Sequence, residues 1–138
     1  MEEVIRARGH ENVRAEHAST FEVTTDDYLT PAGDCILAIE ADRAPADFDP
    51  SFVAACRDET ATISVTIEVD GVEETIVGHG DPRLTFDSDR SAVGRTSDYV
   101  DDRTVVVDAE RAASEVDRTL VSALADGAKA TVRLVVDA

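Results

Sequence analysis

Tryptophan is absent from this sequence, and aromatic residues make up only 4% of it. Apolar residues nevertheless account for 43% of the chain, a share that allows a packed core and argues against disorder. Valine, isoleucine, leucine and alanine must therefore fill that core. A length of 138 residues favours one core, so we expect a single domain over residues 1–138.

Cysteine is scarce as well. Cys35 and Cys56 are the only two, too few for the disulfide framework of a small secreted domain. No apolar run approaches the length of a membrane-spanning helix, and the opening residues MEEVIRARG lack the apolar segment of a signal peptide. We therefore expect a soluble, cytoplasmic protein with no membrane partner.

Lys129 is the only lysine, and every other basic residue is arginine. Acidic residues number 30 against 13 basic ones, giving a formal net charge of −17. This balance is typical of extremely halophilic archaea, because at about 1 M salt the Debye length falls to about 3 Å and carboxylates repel one another only weakly. We expect partial unfolding at low salt. The acidity weighs against nucleic-acid binding without excluding it, since phosphate contacts need arginine or lysine.

Two stretches of the chain are nearly identical in pattern: ADRAPADFD at 41–49 and AERAASEVD at 109–117. With the same offset, residues 34–56 align with residues 102–124, and apolar residues recur in both at the i, i+4, i+7, i+8 spacing of one helix face. These are Phe48, Phe52, Ala55 and Cys56 in the first stretch, and Val116, Leu120, Ala123 and Leu124 in the second. We interpret the pattern as an internal duplication with pseudo-repeats 1–70 and 71–138. A chance likeness between two amphipathic helices is the alternative.

Each half is predicted to contain three strands, a helix and a final strand. Asp49 followed by Pro50 indicates a helix start, and the Asp70-Gly71 pair indicates a hairpin between the halves. The predicted strands cover 3–9, 19–24, 35–41 and 62–70, then 72–78, 92–99, 104–109 and 130–136, and the second helix covers 111–125. The predicted fold is α+β and predominantly β: a barrel-like mixed sheet with pseudo-two-fold symmetry and two helices.

Four segments resemble one known family: RGHENVRAEHASTFEVT (8–24), YLTPAGDCI (28–36), RTSDYVDDRT (95–104) and AASEVDRTLVSAL (112–124). Together they resemble the archaeal domain-of-unknown-function family 371, and the run from Gly9 to Cys35 is the most specific part. The resemblance implies an archaeal cytosolic protein, and the composition indicates a haloarchaeal member. It implies no activity and no catalytic residues.

Arginine and histidine concentrate in VIRARGHENVRAEH, residues 4–17. In an extended strand Arg6, Arg8 and His10 project to one face, and Arg14 and His17 follow closely. Guanidinium groups match phosphates and carboxylates because they donate two parallel hydrogen bonds. Our leading hypothesis is therefore a non-enzymatic module that binds an anionic ligand, a nucleotide or RNA, between this segment and the loop 29–35.

Arg90, Arg95 and Arg103 form a second, looser group of arginines, of which Arg95 and Arg103 join the candidate ligand-binding residues. For both groups the alternative is structural. The arginines would then pair with the surrounding aspartates and glutamates in a solvated ion network.

A small enzyme, with or without a metal ion, is the main functional alternative. It would use His17, Asp34 and Cys35 as catalytic residues together with His10, although an acidic neighbour raises the pKa of a thiol and a buried structural Cys35 is the simpler interpretation. The candidate metal ligands are His10, His17 and His79, although no known ligand spacing is present. Whether a cofactor binds is left open by the sequence. A third possibility is a structural subunit of an oligomer or larger assembly.

Overall fold

The computed structural model describes residues 1–137 and contains eight strands and two α-helices within them. The elements are β1 (Glu2–Arg8), β2 (Thr20–Thr24), β3 (Ile36–Ala38), α1 (Pro50–Cys56), β4 (Thr62–Val69), β5 (Val72–His79), β6 (Ser91–Arg95), β7 (Thr104–Val106), α2 (Arg118–Ala125) and β8 (Lys129–Asp137). A short 3₁₀ turn precedes each helix, at Pro45–Asp47 and Ala113–Glu115. The order of elements from β1 to β4 is therefore repeated from β5 to β8.

The strands form two four-stranded sheets. The first is antiparallel in the order β1-β8-β4-β5, and the second has the order β3-β2-β6-β7. In the second sheet β2 and β6 are antiparallel, whereas β3 and β7 run parallel to their neighbours. This confirms a mostly β, α+β architecture with two helices.

The barrel-like closed sheet that we predicted is wrong. The edges of the two sheets meet at one isolated bridge on each side, Arg8 with Ile39 and His79 with Val107. Because β3 and β7 have only three residues each, their ladders end before they can join the first sheet continuously.

The core lies between the sheets and is closed at its ends by the helices. Strand β4 alternates buried and half-buried positions, and its buried Val65 and Ile67 face Phe21 of the second sheet. Helix α1 adds Phe52, whose ring lies edge-on to Phe86 with centroids 6.3 Å apart. Deleting such a buried aromatic ring costs about 3–5 kcal/mol, so each of these rings contributes substantially to the stability of the fold.

The helix start at Asp49 and the hairpin turn at Asp70-Gly71, both predicted from the sequence, are confirmed. The Asp49 side chain accepts the Ser51 N–H at 2.7 Å and caps α1, and Asp70-Gly71 forms the turn between β4 and β5. The second helix begins later than predicted, at Arg118 instead of 111, because Asp117 caps it by accepting the Thr119 N–H at 2.8 Å. The short strands β3, β6 and β7 also end earlier than predicted. No helix within residues 1–137 is long and apolar enough to cross a membrane.

Equivalent contacts recur in the two halves. The Asp49 N–H donates to Glu3 at 2.8 Å, and the Asp117 N–H donates to Glu74 at 3.0 Å. Each contact ties the start of a helix to the strand that opens its half. Each of these glutamates also pairs with an arginine, Glu3 with Arg43 at 2.8 Å and Glu74 with Arg111 at 3.2 Å.

Candidate functional site

Strand β1 places two arginines on the outer face of the first sheet. Arg6 and Arg8 are exposed, and they alternate with the buried Ile5 and Ala7. The register with β8 sets Arg8 directly opposite Lys129. The only lysine of the chain therefore lies beside two arginines from the opposite end of the sequence.

These residues line a surface hollow of about 430 Å³, formed by Arg6, Ala7, Arg8, Glu40 and Lys129, which we call the basic groove. It is a shallow depression, largely open to solvent. Arg8 forms an ion pair with Glu40, whereas Arg6 and Lys129 form no ion pair within residues 1–137. Three cations thus face one carboxylate in a protein where acidic residues predominate more than two to one.

A second hollow of about 290 Å³ adjoins the basic groove and shares Arg8 with it. His10 and Glu11 line one side, and Asp126 lines the other at the end of α2. The His10 Nδ1 atom accepts the Asn12 N–H at 3.0 Å, which fixes the imidazole ring at the turn after β1. The structure therefore places Arg6, Arg8 and His10 along one continuous surface.

The second half also has a hollow, beside the bridge between His79 and Val107. We call it the acidic groove, about 450 Å³ in volume and lined by Glu59, Thr60, His79, Gly80, Asp81, Asp98, Val107 and Asp108. Both grooves contain an acidic residue with a positive φ, Glu40 at 54° and Asp108 at 50°. Each groove lies beside one of the two bridges between the sheets, but the acidic groove has no lysine or arginine among its lining residues.

Arg14 and His17 lie outside the basic groove. Arg14 is exposed on the loop after β1 and lines neither of the two hollows beside that strand. The Nδ1 atom of His17 accepts the N–H groups of Ser19 at 3.2 Å and Thr20 at 3.1 Å. This is a local turn contact at the entrance to β2.

Arg95 and Arg103 lie on the outer face of the second sheet, so the structure separates the two predicted arginine groups. Arg95 is 8% exposed, and its guanidinium donates to Asp101 at 2.9 Å and to Thr104 at 2.8 Å. It also lies over the Tyr99 ring, 4.7 Å from the centroid. Arg103 donates to the same Asp101 carboxylate at 3.0 Å. These arginines therefore neutralise a carboxylate of their own chain.

The environment of Asp101 has a clear electrostatic signature. Burial by itself would raise the pKa of its carboxyl, but hydrogen bonds from Arg103 and Arg95 outweigh that effect and hold the pKa at about 2. The cluster is an internal ion network and not an open anion site.

Of the candidate catalytic residues, His17, Asp34 and Cys35 lie close together through backbone contacts. The Asp34 carbonyl accepts the His17 N–H at 3.3 Å. The partner of the Cys35 thiol is the carboxylate of Glu22, to which it donates at 3.5 Å. Burial first, and then the charge of Glu22, raise the pKa of Cys35 to about 11, so at neutral pH the thiol stays protonated and a poor nucleophile.

The three histidines lie in separate surroundings. His10 lines the hollow beside the basic groove, His79 lines the acidic groove, and His17 caps a turn. Over residues 1–137, no group of three or more histidine, cysteine, aspartate or glutamate side chains is arranged to hold a metal ion.

Residues 5–137 match the family described as Domain of unknown function (DUF371). The chain belongs to the DUF371 family. It is also similar to an uncharacterized protein of Methanocaldococcus jannaschii, with 38% identity over 136 residues that cover 99% of this chain and 100% of the relative. The family resemblance and an archaeal relative are thereby confirmed, whereas the haloarchaeal origin stays a prediction.

Two residues of this DUF371 protein were missed as site residues from the sequence. Lys129 joins the basic groove only through strand register, and no local motif marks it. Glu22 is only 9% exposed, although it lies in the middle of β2 opposite Val93. An acidic residue inside the apolar stretch FEV was the one available signal for it.

Proposed function

We propose that this DUF371 protein binds an anionic ligand, a nucleotide or RNA, at the basic groove. The observation that carries the proposal is the set of three cations, Arg6, Arg8 and Lys129, around one hollow with a single carboxylate, Glu40. Two of these cations are free of ion pairs within the described part of the chain. A charged hydrogen bond to a phosphate contributes about 1.5–3 kcal/mol, so two or three of them suffice for specific binding.

The acidic groove supports the same proposal by contrast. Both hollows lie beside a bridge between the sheets and contain an acidic residue with a positive φ, yet only the basic groove has arginine and lysine in its lining. We further propose that the halves 1–70 and 71–138 arose by internal duplication within one domain, and that the first groove then became specialised. The repeated order of elements and the equivalent contacts of Glu3 and Glu74 support this history.

The setting that we propose is a salt-rich archaeal cytoplasm. The net charge of −17 and the near absence of lysine support it, because such a charge destabilises a compact fold unless salt screens it. Under these conditions anion binding depends on short-range, bidentate contacts more than on long-range attraction, which favours arginine over lysine.

Binding is tested by fluorescence anisotropy with a labelled nucleotide and a labelled single-stranded RNA, in the KCl concentration that keeps the protein folded. Arg6→Gln and Arg8→Gln should each weaken binding by about tenfold, which corresponds to roughly 1.4 kcal/mol for one lost charged hydrogen bond. The matched control is Arg57→Gln, which removes one exposed positive charge outside the groove. Unchanged affinity in both groove variants, or an equal loss in the control, would show that the groove is not the site.

A further inference from the structure

We infer that the basic groove takes a compact phosphate-bearing small molecule, such as a nucleoside triphosphate, and not a polynucleotide strand. This inference rests on the proposed function and narrows its ligand class. Its basis is a border of carboxylates: acidic side chains lie across the sheet, along the edge of β1 and at both ends of the groove.

The first part of the border lies across the sheet. Arg6 is paired with Thr131 on β8, Thr131 with Glu68 on β4, and Glu68 with Glu73 on β5. Adjacent strands are about 4.8 Å apart, so the backbone of Glu68 lies about 10 Å from that of Arg6. A phosphate chain that extends across the sheet from the groove therefore meets two carboxylates in succession.

The opposite side is closed in the same way. Glu40 lies beside Arg8 and forms an ion pair with it. The Asp42 carboxylate accepts the Arg6 N–H at 2.8 Å and lies along the outer edge of β1. The cation on this edge, Arg43, follows Asp42 in the chain and is paired with Glu3 at 2.8 Å.

The ends of the groove are also acidic. Past Arg8, the adjoining hollow carries Glu11 and Asp126 against a single histidine, His10. Toward the start of β1 the next cation is Arg133, which lies opposite Val4 and pairs with Glu2 at 3.1 Å. The positive surface is thus an island with room for one short anion.

This geometry separates two kinds of ligand. A polynucleotide gains affinity from successive phosphates that each meet a cation, and here the succession ends after Arg6, Arg8 and Lys129. A compact oligophosphate places all of its charge among those three cations and lies close to only one carboxylate, Glu40, which is paired with Arg8. Adding nucleotides to the ligand should therefore not increase its affinity for the basic groove.

Isothermal titration calorimetry tests the inference with three probes: inorganic triphosphate, ATP and a short uridine oligonucleotide. The titrations use the intact protein at the lowest KCl concentration at which circular dichroism shows the native fold. We expect triphosphate and ATP to bind with similar affinity, and the oligonucleotide to bind at least about tenfold more weakly. Arg8→Gln should weaken the binding of triphosphate and ATP by about tenfold.

A double variant tests whether the carboxylates of the border weaken the binding of a longer ligand. Glu68→Gln with Glu73→Gln should strengthen oligonucleotide binding by about threefold or more while changing ATP binding by less than about twofold, because only the longer ligand reaches these residues. The matched control is Glu59→Gln with Asp98→Gln, which removes two carboxylates from the acidic groove. It should leave both affinities unchanged.

The outcomes distinguish the two proposals. An oligonucleotide that binds more tightly than ATP, and loses affinity in Arg8→Gln, would overturn the small-molecule inference and keep the anion site. Oligonucleotide affinity that stays the same when Glu68 and Glu73 are neutralised would remove the border argument. Failure of all three probes to bind, or binding that Arg6→Gln and Arg8→Gln leave intact, would overturn the proposed function itself.

Discussion

Replacing Asp101 by asparagine gives a quantitative test of the ion network on the second sheet. Asn keeps the size of the side chain and removes its charge. In the wild-type protein the carboxylate accepts from Arg95, from Arg103 and from the Thr104 hydroxyl at 3.1 Å. The variant leaves the buried Arg95 guanidinium without a counter-charge, which is the costly step.

The magnitude follows from the pKa. Its fall from 3.8 to about 2 means that the ionised form is favoured by the folded protein, and at about 1.4 kcal/mol per pKa unit this stabilises the fold by roughly 2–2.5 kcal/mol. The Asp101 side chain is 22% exposed and lies near the surface, so solvent screening makes this figure an upper value. We expect Asp101→Asn to lower the melting temperature by roughly 5–10 °C near neutral pH.

The direction of the pKa shift determines how the contribution of Asp101 to stability changes with pH. Because the pKa is depressed in the folded state, the contribution of Asp101 is fully present above the unfolded pKa of about 3.9 and is lost as the pH falls toward about 2. The difference between wild type and variant should therefore be constant from about pH 7 to pH 5 and shrink below about pH 4. Denaturant titrations monitored by circular dichroism measure it at each pH.

Asp102→Asn is the matched control, since Asp102 is the adjacent residue and is exposed. It should change stability by less than about 0.5 kcal/mol, as surface substitutions commonly do. A deficit for Asp101→Asn that equals that of the control, or one that persists unchanged at about pH 3, would refute the assignment of the stabilisation to the Asp101 charge.

Three further predictions follow from the fold. Gly94→Ala should destabilise the protein by about 1–3 kcal/mol in thermal melts, because the new Cβ would lie 2.1 Å from the Phe21 ring; an unchanged melting temperature would contradict this. Iodoacetamide should alkylate Cys35 slowly at about pH 8, while the buried Cys56 stays protected. In Glu22→Gln the rate at Cys35 should rise roughly threefold or more, because removing that charge lowers the pKa of the thiol. The melting temperature should rise steeply from dilute buffer to about 1 M KCl, and a flat profile would refute the halophilic interpretation.

Short-range signals in the chain were sufficient to predict much of the secondary structure. Asp49 before Pro50, the Asp70-Gly71 turn and the alternation from Thr62 to Val69 each depend on contacts within a few residues, so the local sequence specifies them. The start of the second helix was predicted too early at 111. The local cap at Asp117 prevailed over the longer apolar pattern.

Only part of the candidate site could be predicted from the sequence. Alternation in β1 correctly exposes Arg6 and Arg8, because a strand turns successive side chains to opposite faces. Arg95 and Arg103, which the sequence offered as a second group of candidate ligand-binding residues, converge on Asp101 over the other sheet. Their convergence depends on a contact with Asp101 that composition does not specify.

The position of Lys129 beside Arg8 depends on the tertiary structure and not on the local sequence. Its position opposite Arg8 is set by the register of β1 against β8, and that register follows from burying Ile5 and Leu134 between the sheets. A slip of one residue would turn every side chain of the strand to the other face. The residue types and the strand that presents two of the cations are thus encoded locally, whereas the third cation and the surrounding carboxylates come together only through packing of residues far apart in the chain.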